Sequence, residues 1–303
     1  MNSFIDALKQ YHETVPLPEL RIAYADFWPE WKDENFIEPI LKKHFDVVID
    51  QKNPSVVFHS IFGGMQETPK YKCKKVLFLG ENYRAKNYGS NFSISFDPHS
   101  DTNFRLPLWQ AYILLRPEYK DRLFKRVNHE QFDRFCSFTV SNPNNFFRNG
   151  FYKQLSSYKM VHSYGRYMTN DQGLQKASEG KYWRDAKDLF FQQNKHKFAI
   201  TYEHSSYPWY CTEKLMDTFL AGSMPLYWGD PKVKEDWNEK AFINVLDYGR
   251  NIMTSINHPT AGFDNNKRIF DTKYNEPVFT DSQKDKLVNN LSECEDWLLK
   301  IVK

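Results

Sequence analysis

The sequence predicts an α/β protein with two domains, each built around a mainly parallel sheet. One observation is its length of 303 residues, which exceeds that of a typical single domain. A second is a series of short apolar runs rich in Val, Ile and Phe, and a third is the presence of amphipathic helical patterns between those runs. Strands of this composition separated by helices are typical of parallel sheets covered on both faces.

The first domain is predicted to span residues 1–135. A helical stripe in Asp33–His44 separates its first two strands. From Leu106 to Phe135 the pattern becomes helical or irregular, which places the domain boundary near Phe135. The predicted strands are Leu20–Phe27, Phe45–Asp50, Ser55–Gly63, Lys74–Gly80 and Asn91–Phe96.

The second domain is predicted to span residues 136–280, and residues 281–303 form an amphipathic C-terminal helix. Its predicted helices are Asn149–Tyr158, Tyr182–Gln193 and one that begins after Thr212, which can cap it, and stops at Gly222. Its predicted strands are Cys136–Asn142, Met160–Gly165, Lys197–His204, Met224–Gly229 and Ala241–Val245.

Composition excludes some classes of protein. The 41 lysines and arginines nearly balance the 38 acids, and there is no basic face or long basic run, so we do not expect a nucleic-acid binder. The first twenty residues lack the features of a signal peptide, and no apolar stretch is long enough to span a membrane. The four cysteines lie far apart, without the short paired spacing of a zinc or redox site. We therefore expect them to be reduced thiols in a cytoplasmic protein. Peripheral membrane association through a segment outside this chain stays open.

A cluster of polar residues separates two buried elements in the second domain. Glu203 and His204 end a predicted strand, and Glu213 and Lys214 lie in the first turn of the helix that follows. The positive end of a helix suits a phosphate, Lys214 adds a full charge, and Glu213 can accept hydrogen bonds from ribose hydroxyls. The helix pattern alone favours a simpler alternative, in which the dipole stabilises Glu213 and Lys214 is a solvated surface charge.

The segment Thr201–Val233, "TYEHSSYPWYCTEKLMDTFLAGSMPLYWGDPKV", resembles the donor-binding motif of the α1,3/1,4-fucosyltransferase family. In that family Glu-Asn-Ser, Tyr-x-Thr-Glu-Lys and Pro-Ile/Leu-Tyr-Trp-Gly follow in this order. The resemblance implies a GT-B glycosyltransferase, with two Rossmann-like domains facing each other across a cleft and GDP-fucose as the donor. The C-terminal helix is then expected to pack back on the N-terminal domain, by analogy with other GT-B enzymes.

The same resemblance assigns donor-binding residues. Glu213 is expected to hold the ribose, and Lys214 and Tyr210 to contact the diphosphate or nucleotide. Glu203 matches the Glu of Glu-Asn-Ser, and His204 stands where the family has Asn. Histidine can donate or accept a hydrogen bond from that place, but it is bulkier than asparagine and titrates.

A second segment, Ser137–Leu155, resembles the family's Ser-Asn-Pro-x-x-x-Arg-Asn-x-Phe-Tyr turn between a strand and a helix. It places Arg148 on the donor diphosphate and adds Asn142 as a donor-binding candidate. A guanidinium offers a planar fork of donors that suits phosphate oxygens. The segment "SYGRYMTN" loosely resembles the family's glycine-rich turn, which makes Arg166 a further candidate.

The segment Val76–Leu108 resembles the family's Gly-Glu-Asn, Phe-Asp and Arg-x-Pro-Leu. Sugar transfer needs a base that takes the proton of the attacking acceptor hydroxyl, and Glu81 at the end of a strand is the candidate. The alternative is a loop glutamate that makes a turn contact. The chain contains no Asp-x-Asp, so we expect no metal or other cofactor, with Arg148 and Lys214 neutralising the departing GDP.

Candidates for acceptor binding lie in loop-like stretches that the prediction assigns to the N-terminal domain. The indoles of Trp28, Trp31 and Trp109 could stack on sugar faces, although half-buried packing is an equally favoured alternative. His99 and Asp101 are weaker candidates for contacts with the acceptor.

Together these features predict an inverting α1,3-fucosyltransferase. It would move L-fucose from GDP-fucose to a hydroxyl of a glycan containing N-acetylglucosamine, such as N-acetyllactosamine. Two alternatives stay open. One is a related transferase in which His204 and the insert Tyr207-Pro208-Trp209 have shifted the choice of nucleotide sugar, and the other is a non-catalytic module that binds nucleotide sugars or glycans.

Overall fold

The computed structural model describes residues 16–32, 34–125, 132–247 and 276–303. The first fifteen residues, and Asp33 at the start of the predicted helical stripe, lie outside the described residues. The chain forms two compact units, one of Met1–Leu106 with Asn289–Lys303 and the other of Pro107–Val288. The residues between Leu106 and the boundary predicted near Phe135 therefore group with the second unit.

The first unit contains a six-stranded parallel sheet in the order β2-β1-β3-β4-β5-β6. Strands β2 to β5 lie within the predicted ones, β1 begins one residue before its predicted start, and β6 was not predicted. Ala25 pairs with His59, and His59 pairs with Leu77, so the carboxyl ends of three strands meet at one edge. The strands are β1 (Glu19–Ala25), β2 (Asp46–Ile49), β3 (Val56–His59), β4 (Lys74–Phe78), β5 (Phe92–Ser95) and β6 (Asn103–Arg105).

Apolar and aromatic side chains fill the core of the first unit. All four residues of β3 are buried, which is typical of a parallel strand covered on both faces. The helix α1 (Ile37–Leu41) buries three of its aliphatic side chains. Trp31 is 2% exposed and stacks on Phe27, with ring centroids 4.0 Å apart, and on Phe78 at 5.2 Å. This aromatic stack fixes the loop that follows β1.

The second unit contains a five-stranded parallel sheet in the order β11-β10-β9-β7-β8. Its strands are β7 (Arg134–Phe138), β8 (Val161–Ser163), β9 (His196–Tyr202), β10 (Met224–Trp228) and β11 (Ile243–Asn244). Its helices are α2 (Leu108–Leu115), α3 (Glu118–Phe124), α4 (Phe146–Tyr158), α5 (Gly173–Ser178), α6 (Trp183–Gln193) and α7 (Glu213–Leu220). Short 3-10 turns are Pro29–Lys32, Phe62–Met65, Thr68–Lys70 and Ala85–Asn87 in the first unit, and Val233–Glu235 and Glu239–Ala241 in the second.

Helices α2 and α3 belong to the second unit because of what their side chains contact. The ring of Trp109 in α2 lies 4.4 Å from that of Trp237. In α3, both terminal nitrogens of Arg122 bind the carboxylate of Asp188, at 2.6 and 2.8 Å. These contacts tie both helices to elements that follow β7.

The C-terminal helix α8 (Asp281–Val302) contributes to both units, since the division falls between Val288 and Asn289. In the first unit, Trp297 packs against Phe92 and Phe104, with centroids 6.0 and 5.6 Å apart. Glu295 accepts hydrogen bonds from Lys43 at 2.6 Å and His44 at 2.7 Å. This part of α8 therefore covers the β5 and β6 side of the first sheet.

Among the described residues, no helix combines the length and apolar character needed to cross a membrane. All four cysteines have free thiols, and three of them are buried.

Candidate active site

The carboxyl ends of β7, β9 and β10 carry the candidate donor site. Asn145, which caps the start of α4, joins these elements. Its side-chain carbonyl accepts the N–H of Arg148 at 2.9 Å, while its amide donates to the carbonyls of Glu203 at 3.1 Å and His204 at 3.0 Å. One buried side chain thus fixes the start of α4 to the end of β9. The sequence analysis did not single out Asn145, although Asn is a preferred cap residue.

Glu203 directly follows β9, and its fully buried carboxylate contacts the start of α7. Its carboxylate accepts the backbone N–H of Thr212 at 2.8 Å, the Thr212 hydroxyl at 2.7 Å and the Lys214 ammonium at 3.1 Å. Gly229 lies against it, since a Cβ at that position would come within 2.5 Å of Glu203 Cγ. Both carboxylate oxygens are thus engaged inside the protein, which makes Glu203 a positioning group for Lys214.

The sequence correctly predicts where α7 begins. Thr212 occupies the capping position but its side chain makes no capping hydrogen bond. Its hydroxyl instead donates to Glu203 and accepts the Lys214 ammonium at 2.9 Å. The hydroxyl oxygen therefore accepts a charged ammonium in place of a backbone N–H, while its proton goes to a charged carboxylate, and a charged partner roughly doubles the strength of a hydrogen bond.

Lys214 and Glu213 are charged neighbours in the first turn of α7. Burial alone would lower the pKa of Lys214, but the carboxylates of Glu203 and Glu213 outweigh it and raise that pKa. Burial would raise the pKa of Glu213, but Lys214, followed by Lys187 and Arg184, holds it below its usual value. Both groups are therefore ionised at neutral pH.

Arg148 is 3% exposed and lies in the first turn of α4. One terminal nitrogen donates to the backbone carbonyl of Asn142, and the buried Nε has no hydrogen-bond partner among the described residues. Burial lowers the pKa of Arg148, and Tyr167 and Glu203 offset this only in part. A buried guanidinium with an unused donor is the arrangement expected of an anion-binding group.

His204 is linked to both cations, since the Asn145 side chain binds its carbonyl and the Arg148 N–H, and the preceding Glu203 binds the Lys214 ammonium. Burial lowers the pKa of His204 first, and the positive charges of Arg148 and Lys214 lower it further. Arg148 comes from α4 and Lys214 from α7, so two helix starts bring their cations to one place. We call Arg148, His204 and Lys214 the cationic cluster. Phosphate groups bind at such places, because helix N-termini and cations both attract them.

Ion pairs join α6 to α7, the helix whose first turn carries Lys214. Asp217 of α7 accepts from Arg184 at 2.8 Å and from Lys187 at 2.7 Å. Burial would raise the pKa of Asp217, but the two cations lower it to about 2. A cavity of about 60 Å³ lies beside them, lined by Lys187, Lys214 and Asp217, by neighbouring threonines and serines, and by apolar residues such as Val140 and Ile200.

The remaining donor candidates differ in exposure. Tyr210 is buried, and its charge interaction with Lys214 places it beside the cluster. Asn142 is exposed, and its backbone carbonyl accepts the Arg148 guanidinium. Arg166 is exposed, and its backbone N–H donates to Ser141 Oγ at 3.4 Å. The residue before it, Gly165, has no room for a side chain, because a Cβ there would lie 1.8 Å from the carbonyl oxygen of Val140.

Glu81 lies in the first unit, three residues beyond the end of β4, and is exposed. Its backbone carbonyl accepts the N–H of Tyr83 at 2.7 Å. The loop that follows is held by Arg84, whose guanidinium donates to Asn82 and, at 2.7 Å, to Asp97. Glu81 therefore lies on a tethered loop at the carboxyl edge of the first sheet, where ligands bind in open α/β sheets.

The acceptor candidates separate into packed and exposed residues. Trp31 and Trp109 are buried and have the packing role that the sequence analysis left open. Trp109 also belongs to the second unit instead of the predicted N-terminal domain. Trp28 is half-buried, with its ring 5.3 Å from that of the exposed Phe62, and His99 binds Asn290 of α8 at 3.0 Å. Asp101 is exposed.

Within residues 16–32, 34–125, 132–247 and 276–303, no three or more His, Cys, Asp or Glu side chains are grouped so that they could hold a metal ion.

Two family models match this chain in the order of its units. Residues 22–112 match the N-terminal domain of alpha-(1,3)-fucosyltransferase FucT, and residues 130–274 match the C-terminal part of glycosyltransferase family 10, the fucosyltransferases. The chain belongs to the fucosyltransferase family. The second match contains the whole cationic cluster, and the first contains Glu81.

Relatives within the fucosyltransferase family come from distant organisms. The alpha-(1,3)-fucosyltransferase FucT of Helicobacter pylori is 27% identical over 91% of this chain. The alignment spans 64% of that relative's length, so the chain is similar to part of a longer protein. The bovine 4-galactosyl-N-acetylglucosaminide 3-alpha-L-fucosyltransferase 9 is 28% identical over 52% of this chain and 39% of its own length.

Solved structures of fucosyltransferases share the fold. A crystal structure of an alpha1,3-fucosyltransferase matches with a TM-score of 0.65 and 21% identity, over 92% of this chain and 91% of that one. A structure of an alpha1,3-fucosyltransferase with GDP-fucose matches with a TM-score of 0.60 and 21% identity, over 93% and 92% of the two chains. The two parallel sheets with their helices therefore form an α/β fold of the GT-B type, as the sequence predicted.

Proposed function

We propose that this fucosyltransferase family member transfers L-fucose from GDP-fucose to a hydroxyl of a glycan containing N-acetylglucosamine, with an α1,3 linkage. The observation that carries the proposal is the cationic cluster. Arg148 is buried without a carboxylate partner among the described residues, and it lies beside Lys214 and His204 at the starts of two helices. A nucleoside diphosphate supplies the anionic partner that Arg148 lacks among the described residues.

The cluster also suits the chemistry of the leaving group. As the bond between the sugar and the β-phosphate breaks, negative charge grows on the departing GDP. Arg148 and Lys214 can stabilise that charge from fixed positions, because Asn145 holds the start of α4 and Glu203 holds the Lys214 ammonium. We propose that this stabilisation needs no metal ion and no other cofactor, so transfer continues in the presence of EDTA.

Glu81 is the proposed base. It takes the proton of the acceptor hydroxyl as that oxygen attacks the anomeric carbon, and a single displacement of this kind inverts the configuration of the sugar. Its exposed position at the carboxyl edge of a parallel sheet supports this role. Glu213, ionised in the first turn of α7, is the proposed partner of the ribose hydroxyls.

A second candidate function is transfer of another sugar from its nucleotide. The segment before α7 favours it, because Trp209 has a backbone φ of +65° and is held on both sides. Its N–H donates to Asp230 at 2.6 Å, and its indole donates to Glu235 at 3.1 Å. This fixed loop follows His204 in the chain, so it can give the donor site a shape that suits a different sugar.

Substitution of Glu81 by Gln tests whether the protein is a transferase or a binding module. We expect Glu81→Gln to lose about 10²- to 10⁴-fold in transfer, which is the usual contribution of a general base, while it binds GDP as tightly as the wild type. Glu67→Gln is the matched control, because Glu67 is an exposed carboxylate of the same unit paired with Lys70 on the surface. Equal transfer by Glu81→Gln and the wild type would reject Glu81 as the base.

A further inference from the structure

His204 is held at the donor site through its backbone, while its ring is left available. The Asn145 amide donates to the carbonyl of His204 at 3.0 Å. The residue is exposed, and its imidazole forms no hydrogen bond with any residue that the structure describes. The ring can therefore bind a ligand without breaking a contact inside the protein.

The groups that face this ring are mostly positive. Asn145 binds both the His204 carbonyl and the N–H of Arg148, and Glu203, the residue before His204, binds the Lys214 ammonium. Glu203, the neighbouring residue at the end of β9, has its carboxylate occupied by Thr212 and Lys214. With no anion present, burial and the two cations lower the pKa of the His204 imidazole, so the ring is neutral at neutral pH.

An anion on the cluster reverses this balance. The diphosphate of a nucleotide sugar carries two negative charges, and its negative field at the cluster opposes the two cations that disfavour protonation. The imidazole then gains an opposite charge nearby, which raises its pKa. At a pH between the lower pKa of the unliganded protein and the higher pKa of the complex, the imidazole is neutral before the donor binds and protonated afterwards.

We propose that His204 is a proton-linked diphosphate-binding residue, which takes up one proton when the nucleotide-sugar donor binds and so becomes the third cation of the cluster. This inference rests on the proposed function, since it assigns a role to a residue of the same donor site. Its consequence is that donor affinity rises as pH falls across the physiological range. The dependence reaches up to about tenfold per pH unit, because one proton is exchanged.

Calorimetric titration with GDP-fucose, in EDTA and without acceptor, tests the inference. GDP-fucose is a better probe than GDP, because its diphosphate is esterified at both ends and has no ionisation near neutral pH, whereas a terminal phosphate titrates at about pH 6. The heat is measured at about pH 7, where a histidine can titrate, in buffers of different ionisation enthalpy, which gives the number of protons taken up.

The matched variant is His204→Asn, which keeps the backbone carbonyl that Asn145 binds and removes the titrating ring. We expect the wild type to take up a fraction of a proton, at most one, and His204→Asn to take up close to none. His44→Asn is the control, since His44 is a partly exposed histidine of the first unit, bound to Glu295, and proton uptake should match that of the wild type.

The outcomes separate the two proposals. Equal proton uptake by the wild type and His204→Asn, with GDP-fucose bound by both, would overturn the role of His204 and leave the proposed function standing. If GDP-fucose bound at no pH in this range, both the role of His204 and the proposed function would fall.

Discussion

Arg148 offers a substitution that separates stability from binding. It is 3% exposed, and among the described residues it has neither a carboxylate partner nor a hydrogen bond at Nε. Met has a similar length and no charge, so Arg148→Met removes a buried charge that the unliganded protein compensates only in part, through Tyr167, Glu203 and the carbonyl of the exposed Asn142. Replacing a buried ion pair by apolar residues of similar volume is often neutral or stabilises by about 1–4 kcal/mol, and a buried cation without an ion-pair partner bears the desolvation cost without the compensating attraction. We expect the free energy of unfolding of Arg148→Met, without ligand, to equal or exceed that of the wild type.

GDP binding should change in the opposite direction. A hydrogen bond to a charged group contributes about 1.5–3 kcal/mol, and each 1.4 kcal/mol corresponds to about a tenfold change in affinity. Loss of the guanidinium should therefore weaken GDP binding by about 10- to 150-fold. Opposite effects on the free energy of unfolding and on GDP affinity are expected where a residue is kept for function at a cost in stability.

Urea unfolding without ligand and calorimetric titration with GDP measure the two effects. Arg122→Met is the control, because Arg122 is paired with Asp188 at 2.6 and 2.8 Å and also donates to Leu220. It should lose about 1–3 kcal/mol of stability and keep its GDP affinity. The reasoning would be refuted if Arg148→Met were destabilised by about 2 kcal/mol or more, the size of a lost buried hydrogen bond, and bound GDP normally.

Two further substitutions test how the site is supported. Gly165→Ala places a Cβ 1.8 Å from the Val140 carbonyl oxygen and should lower the unfolding free energy by several kcal/mol, whereas Gly150→Ala, with no atom within 4 Å, should stabilise α4 by about 1 kcal/mol. Similar effects of both in urea unfolding would show that the close approach at Gly165 is unimportant. Asp217→Ala leaves two cations without their carboxylate and should cost about 3–5 kcal/mol, while the control Asp185→Ala, whose side chain is 62% exposed, should cost less than about 1 kcal/mol. The pKa of Asp217 is about 2 in the folded protein and about 3.9 in an unfolded chain. The Asp217 carboxylate therefore stabilises the fold fully above about pH 3.9, and this stabilisation is lost as the pH falls from about 3.9 through about 2. Equal acid unfolding of Asp217→Ala and the wild type would contradict this linkage.

The strands could be predicted from the sequence because buried parallel strands need continuous apolar runs. All strands observed outside β6 lie within or overlap predicted ones. Strand β6 (Asn103–Arg105) has three residues, two of them polar, so no hydrophobic pattern marks it. The grouping of α2 and α3 with the second unit also left no local signal, because it depends on contacts with distant residues such as Trp237 and Asp188.

For the site, residue types and spacing indicated which groups attract a phosphate but not how they are held. Arg148 and Lys214 were predicted as diphosphate contacts, and hydrogen bonds of Asn145 and Glu203 link both to the backbone around His204. Asn145 and the engagement of Glu203 by Thr212 and Lys214 depend on the three-dimensional meeting of β9, α4 and α7. Spacing along the chain cannot reveal such contacts. The burial of Trp31 likewise depends on Phe27 and Phe78 meeting around it.

The most direct test of the proposed activity is the release of GDP from GDP-fucose in the presence of N-acetyllactosamine and EDTA. We predict GDP formation that requires the acceptor, is unchanged by EDTA, and exceeds that from GDP-mannose or UDP-galactose. GDP release that EDTA abolishes would contradict a reaction in which Arg148 and Lys214 neutralise the leaving group without a metal. Turnover with another nucleotide sugar in place of GDP-fucose would contradict the proposed donor.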